Sequence, residues 1–132
     1  VLLAKLPHFP EELELRQQIG ARYSALLKDC CRTPAVAPDN THVYAQYTIR
    51  VPQRDAVMAA LNARGIPTAV YYPKCLHEQP VFAGCGYRTG DFPEAIRASR
   101  EVLSLPMHPF LEEAVQNRIV AGVRESLGAL PA

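Results

Sequence analysis

RDAVMAALNARGIPTAVYYP, residues 54–73, holds the alternation that decides the fold. Val57, Met58 and Leu61 recur at helical spacing between Arg54 and Arg64, which makes one apolar stripe on a polar cylinder. Gly65 follows, where a helix that ends in left-handed backbone favours the residue without a Cβ. Thr68 to Tyr72 is β-branched and aromatic and stops at Pro73, the composition of a strand. Helix, glycine cap and strand in so short a span describe an α/β chain.

The pattern continues in both directions. Upstream, Val43, Ala45, Tyr47 and Ile49 alternate with Tyr44, Gln46, Thr48 and Arg50, a strand with one apolar and one mixed face. Before it, Arg32 to Asn40 carries two prolines and is a loop. Pro10 to Lys28 is helical, with Leu13, Ile19, Tyr23 and Leu26/Leu27 on its apolar side. Pro10, Glu11 and Glu12 suit a first turn, where a missing N–H costs little and negative charge meets the positive dipole end. Downstream, Lys74 to Gly90 is irregular, with Gly84-Cys85-Gly86 read as a turn. Asp91-Phe92-Pro93-Glu94 has the form of a capping box and opens a helix with Ile96, Ser99 and Val102/Leu103 on its core face. Ser104 to Met107 is a short strand closed by His108-Pro109. Glu112 to Leu127 is the last helix, with Val115, Ile119, Val123 and Leu127 four apart. The expected fold is α/β (α+β): a two-layer sandwich of a small three-stranded sheet covered by amphipathic helices.

Composition narrows the function. A chain of 132 residues, 48% hydrophobic and 20% charged, is one ordinary globular domain. Net charge is +1 and the basic residues are scattered, so nucleic acid is not an expected partner. No apolar run approaches the ~20 residues of a membrane span, and Val1-Leu2-Leu3-Ala4 is too short for a signal-peptide core and has no basic flank. Cys30 and Cys31 are adjacent, which suits neither a disulfide framework nor a metal knuckle. Cys75, His77 and Cys85 fit no standard zinc spacing, so reduced thiols in a cytoplasmic protein are expected. The chain opens on VLLAKL with no initiator Met, which reads like the middle of a helix and raises the expectation of a fragment.

Polar residues gather in three places. His42, Tyr44 and Gln46 share one face of the first strand, as a solvated face or as a wall toward a ligand or partner domain. Tyr71-Tyr72-Pro73-Lys74-Cys75-Leu76-His77 sets two adjacent tyrosines at a strand end, one ring for each face, with hydroxyls and stacking planes to offer. His77 has the chemistry to donate to a phosphate or carboxylate. Packing around a proline turn is the alternative. His108, held between Pro106 and Pro109, is a rigid loop histidine or a helix-entry residue. Lys74 follows aromatic residues and is the lysine best placed to mimic a Schiff-base lysine, but no phosphate cradle or ring carboxylate accompanies it in the sequence.

The same segments resemble a known family. LLAKLPHFPEELELRQQIGARYSALL is similar to the helical passage between the large and small domains of DegT/StrS-type sugar aminotransferases. HVYAQYTIRV resembles their first small-domain strand. LNARGIPTAVYYPKCLHEQPVF resembles their helix, glycine cap, strand and substrate loop, and FPEAIRASREVLSLPMHPFL their closing helix and strand. The resemblance runs from about Val1 to Leu127. It implies the small domain of the aspartate aminotransferase-like (fold type I) architecture. Residues 1–30 are then an interdomain helical segment, and 31–132 the C-terminal small domain.

The resemblance also implies an activity: transfer of an amino group from glutamate to a UDP-linked 3-keto sugar acid for cell-surface polysaccharide, by a cytoplasmic homodimer that uses pyridoxal phosphate (PLP). The family's catalytic lysine and most cofactor contacts lie in the large domain, so no catalytic residue, and no cofactor on this chain alone, is implied here. What carries over is Tyr71, Tyr72 and His77 as nucleotide-sugar contacts. Many relatives have His in place of Tyr71. The competing readings are a stand-alone ligand-binding α/β module and a structural dimerisation domain.

Overall fold

The computed structural model describes residues 2–129. Its elements are α1 (Leu2–Lys5), α2 (Phe9–Leu27), β1 (Tyr47–Arg50), α3 (Arg54–Ala63), α4 (Pro93–Glu101), β2 (Val102–Leu105) and α5 (Glu113–Gly128). Short 3-10 turns cover Leu6–His8, Leu76–Glu78 and Pro80–Cys85. Among the described residues no helix is long and apolar enough to cross a membrane.

β1 and β2 pair antiparallel, from Tyr47 opposite Leu105 to Arg50 opposite Val102. The sheet has two strands, not the three expected. The Thr68–Tyr72 segment reaches β2 only at Ala69, which exchanges both main-chain bonds with Ser104. Both flanks of that bridge are blocked. In this register Pro67 faces Pro106, and neither has an N–H to donate. Tyr71 faces Val102, whose N–H is taken by the Ala98 carbonyl at the end of α4. One bridge therefore stands where a strand was expected.

Two further expectations shift. β1 starts at Tyr47 rather than Val43, because Tyr44 has a left-handed backbone with φ 44°. His42, Tyr44 and Gln46 thus share no strand face. Tyr44 is buried, and His42 stacks on its ring at 4.2 Å while accepting the Tyr44 N–H at Nδ1. The Asp91–Glu94 capping box does not form: Phe92 stands at the cap with φ 59°, and the Asp91 carboxylate accepts the Arg88 N–H instead. Val102 and Leu103, expected on α4, belong to β2.

The readings of α2 and α3 agree with the structure. α3 ends where expected, and Gly65 follows it at φ 68°. Tyr47 and Ile49 turn toward the helices and are fully buried. Against them pack Tyr23 and Leu27 of α2, Leu61 of α3 and Val123 of α5. Each such aliphatic burial contributes about 1.5–3 kcal/mol. On the opposite face Thr48 meets Ser104, with their hydroxyls 2.8 Å apart. Ser104 spends its main-chain groups on Ala69, so its pairing with Thr48 is the non-hydrogen-bonded kind, in which side chains approach closest. Val115 was expected on the core face of α5 but is exposed. Gln116 is buried instead, bridging Arg22 and the Ile19 carbonyl.

Candidate functional site

A cleft of about 730 Å³ opens between the Tyr71–Tyr87 segment and α4. Arg50 grips Glu101 through Nε at 2.9 Å and Nη2 at 2.7 Å, and Arg54 Nη1 donates to the Val102 carbonyl at 2.9 Å. These contacts fix the C-terminal end of α4 and with it one cleft wall. Ala95, Ala98 and Ser99 lie three and four apart on the cleft side of α4, and their small side chains leave the space open.

The other wall brings Tyr71, Tyr72, Lys74 and His77 together. The two tyrosine rings meet edge to face at 6.0 Å, and the peptide bond between them is cis. Neither ring enters the core, contrary to the expectation of one on each face: Tyr71 is 47% exposed and Tyr72 74%. Their strand is reduced to one bridge, so no sheet separates two faces. His77 is held edge-on by Phe92 at 5.1 Å and Tyr87 at 6.4 Å. Its Nε2 is buried without a partner. Tyr87 was not singled out from the sequence, because it lies in the irregular segment with no period to reveal it. Phe92 entered only as part of the expected capping box, and its place at the cap of α4 is what brings its ring to His77.

A second cleft, about 310 Å³, adjoins the first and shares Tyr71 with it. Gln46 lines it. His108 and His42 line neither cleft. All four cysteines are free thiols, and among the described residues no cluster of His, Cys, Asp or Glu is arranged to hold a metal.

The titratable groups that burial perturbs lie behind the sheet. Desolvation pushes the Tyr47 hydroxyl up to about 12 and the Tyr23 hydroxyl higher. It also pushes the Cys31 thiol up to about 12, helped by the neighbouring Cys30. On the surface, the Arg124 hydrogen bond holds the Asp29 carboxyl below its usual range.

Sequence comparison fits this geometry. The profile of the DegT/DnrJ/EryC1/StrS aminotransferase family matches residues 1–124. The chain belongs to that family. Its relatives include the UDP-2-acetamido-2-deoxy-3-oxo-D-glucuronate aminotransferase of Pseudomonas aeruginosa, 44% identical over 115 residues, covering 86% of this chain and 31% of that protein. A pleiotropic regulatory protein of Geobacillus stearothermophilus is 45% identical over 129 residues, covering 95% and 35%. A DegT/DnrJ/EryC1/StrS aminotransferase from Brucella abortus superposes with a TM-score of 0.89 at 39% identity, over 97% of this chain and 34% of that one. S. venezuelae DesV superposes at 0.93 and 34% identity, over 99% and 36%. The chain thus spans about a third of the length of the relatives it matches.

DegT family aminotransferases are PLP-dependent. Lys74 is the lysine on the wall of the larger cleft. Among the described residues its lining supplies no carboxylate for a pyridine nitrogen, and no arginine or glycine loop for a phosphate. The donor set does not fit PLP as a whole.

Proposed function

We propose that this chain is the small domain of a PLP-dependent nucleotide-sugar aminotransferase, and that the cleft at Tyr71, Tyr72 and His77 receives the nucleotide-linked keto sugar. The single observation behind this reading is the cleft's chemistry. It gathers aromatic rings, three phenol hydroxyls and one lysine at the family's substrate loop, without the acid that a cofactor ring needs. Residues 1–30 then form the interdomain helix and 31–132 the domain proper. Catalytic lysine and cofactor shell belong to the remaining polypeptide, and the isolated chain neither holds PLP nor transfers an amino group.

In the whole enzyme PLP, held by residues outside this chain, would supply the carbonyl chemistry for amino transfer. The residues of this chain do different work. Tyr72, at the rim, donates its hydroxyl to a ligand oxygen. His77, clamped by Phe92 and Tyr87, keeps the loop in shape, and the aromatic walls exclude water from the bound nucleotide sugar. The expected substrate is a UDP-linked 3-keto sugar acid for cell-surface polysaccharide, and the expected setting a cytoplasmic homodimer.

Single-turnover kinetics of both half-reactions in the full-length enzyme test the assignment. A hydroxyl lost from a desolvated contact costs about 1–3 kcal/mol, so Tyr72→Phe weakens nucleotide-sugar binding roughly ten- to a hundred-fold. The glutamate half-reaction stays unchanged. Collapse of the glutamate half-reaction with sugar affinity intact overturns it.

A further inference from the structure

The two clefts that share Tyr71 differ in kind. The larger has Lys74 and His77 on its walls. The smaller is bounded by Gln46, Thr68, Tyr71, Ser104 and Met107, and no charged side chain or histidine lines it. Its polar groups are an amide, a phenol and two hydroxyls, and most are uncommitted. Among the described residues the Gln46 side chain and the Tyr71 hydroxyl make no hydrogen bond. The Thr68 hydroxyl is buried without a partner, and only Ser104 is engaged, with Thr48. Among the described residues the unpartnered buried side-chain atoms are Thr68 Oγ1 and His77 Nε2, one in each cleft.

This contrast selects a ligand. An anion entering the small cleft loses hydration with no cation to replace it. A neutral hydroxylated group exchanges its water bonds for the amide, phenol and hydroxyls instead. Apolar floor with a few convergent polar groups is the ordinary make-up of a small-molecule site. On the other side of Tyr71, Lys74 offers the point charge that suits phosphate.

We infer that the small cleft is a second subsite, which takes the pyranose of a nucleotide sugar while the diphosphate lies on the Lys74 side of Tyr71. The inference rests on the reading of Tyr71 and Tyr72 as nucleotide-sugar contacts. Gln46 is the specificity-determining residue. Its amide both donates and accepts, so it matches an amide-bearing sugar substituent in both directions.

The test uses the 132-residue chain, labelled with 15N, and two probes at millimolar concentration: UDP and UDP-N-acetylglucosamine. The sugar-bearing probe is expected to move the Gln46 side-chain amide signal and to bind about ten-fold more tightly than UDP, the worth of one net hydrogen bond. Gln46→Ala lowers its affinity to that of UDP and leaves UDP binding unchanged. Gln46→Glu, which keeps the shape but removes the donor, does the same. Gln46 is exposed and outside the core, and the backbone spectrum of each variant reports its fold. Equal affinity for both probes with the Gln46 signal unmoved overturns the subsite and leaves the Tyr71–Tyr72 reading standing. Binding of neither probe overturns both.

Discussion

The Tyr23 hydroxyl donates to the main-chain oxygen of Pro106 at 3.0 Å. Tyr23 belongs to the long helix α2, and Pro106 lines the small cleft, so one hydrogen bond ties the helix to a cleft wall. The Tyr23 ring is also stacked on Tyr47 at 4.8 Å, and Tyr47 shares a 2.8 Å hydrogen bond with Ser24. Tyr23→Phe keeps the stack and removes only the hydroxyl. It is expected to lower stability by about 1 kcal/mol, since a carbonyl in a part-buried site loses its donor. The measurement is urea unfolding: the midpoint falls while the slope stays constant.

Gly20 sits where α2 passes Tyr44. A Cβ at that position comes within 2.3 Å of Tyr44 Cδ2. Alanine gains about 1 kcal/mol of helix propensity over glycine. Against that, the Tyr44 ring is buried between His42 and Tyr47 and has little room to yield. Overpacking of this kind costs about 1–3 kcal/mol. Gly20→Ala is therefore expected to lower the thermal midpoint rather than raise it. A raised midpoint means that the ring moves freely and the packing argument is wrong.

How far these features can be read from sequence depends on how local their causes are. α3 and its glycine cap are legible because Val57, Leu61 and Gly65 carry the whole signal within one stretch. Tyr44 is not: its ring is seated against a bare glycine on a different element. The lost third strand needs the register before its cause appears, since Pro67 must be known to face Pro106 and Tyr71 to face Val102. In the candidate site Tyr71, Tyr72 and His77 are visible as a run of functional side chains. Tyr87 closes the cluster from an aperiodic segment and Phe92 from the cap of α4, and Gln46 acquires a setting only when the chain folds Thr68 and Met107 beside it.

Alkaline pH should unfold this protein from within. The Tyr47 hydroxyl and the Cys31 thiol, both pushed up to about 12 by burial, hold their protons more tightly folded than unfolded. In the unfolded chain they titrate near 10 and 9. The folded state thus binds more protons above pH ~9, and stability falls as pH rises. The contribution is fully present below the unfolded values and is lost progressively up to about pH 12. Tyr23 acts in the same direction. Urea midpoints measured from pH 8 to 11 should decline, and Tyr47→Phe should flatten the decline. A midpoint that stays level to pH 11 contradicts the assignment.

The apolar residues of the N-terminal turns have no cover. Leu2 and Leu3 are 84% and 85% exposed, and Leu6 and Phe9 are also open to solvent. Val1, expected in the same patch, lies outside the described residues. Single exposed leucines are ordinary, but contiguous ones favour association, because pairing removes apolar surface from water at about 25 cal/mol per Å². The chain should therefore self-associate at high concentration or bind a hydrophobic dye. Replacing Leu2, Leu3 and Leu6 together by Gln should abolish both effects and leave unfolding nearly unchanged, since none of the three belongs to the core cluster. Sedimentation equilibrium and dye fluorescence on the two proteins decide the matter. Association that survives the triple substitution shifts attention to the exposed rings at the cleft rim, Tyr72 and Phe92, and removes the helical turn from the account.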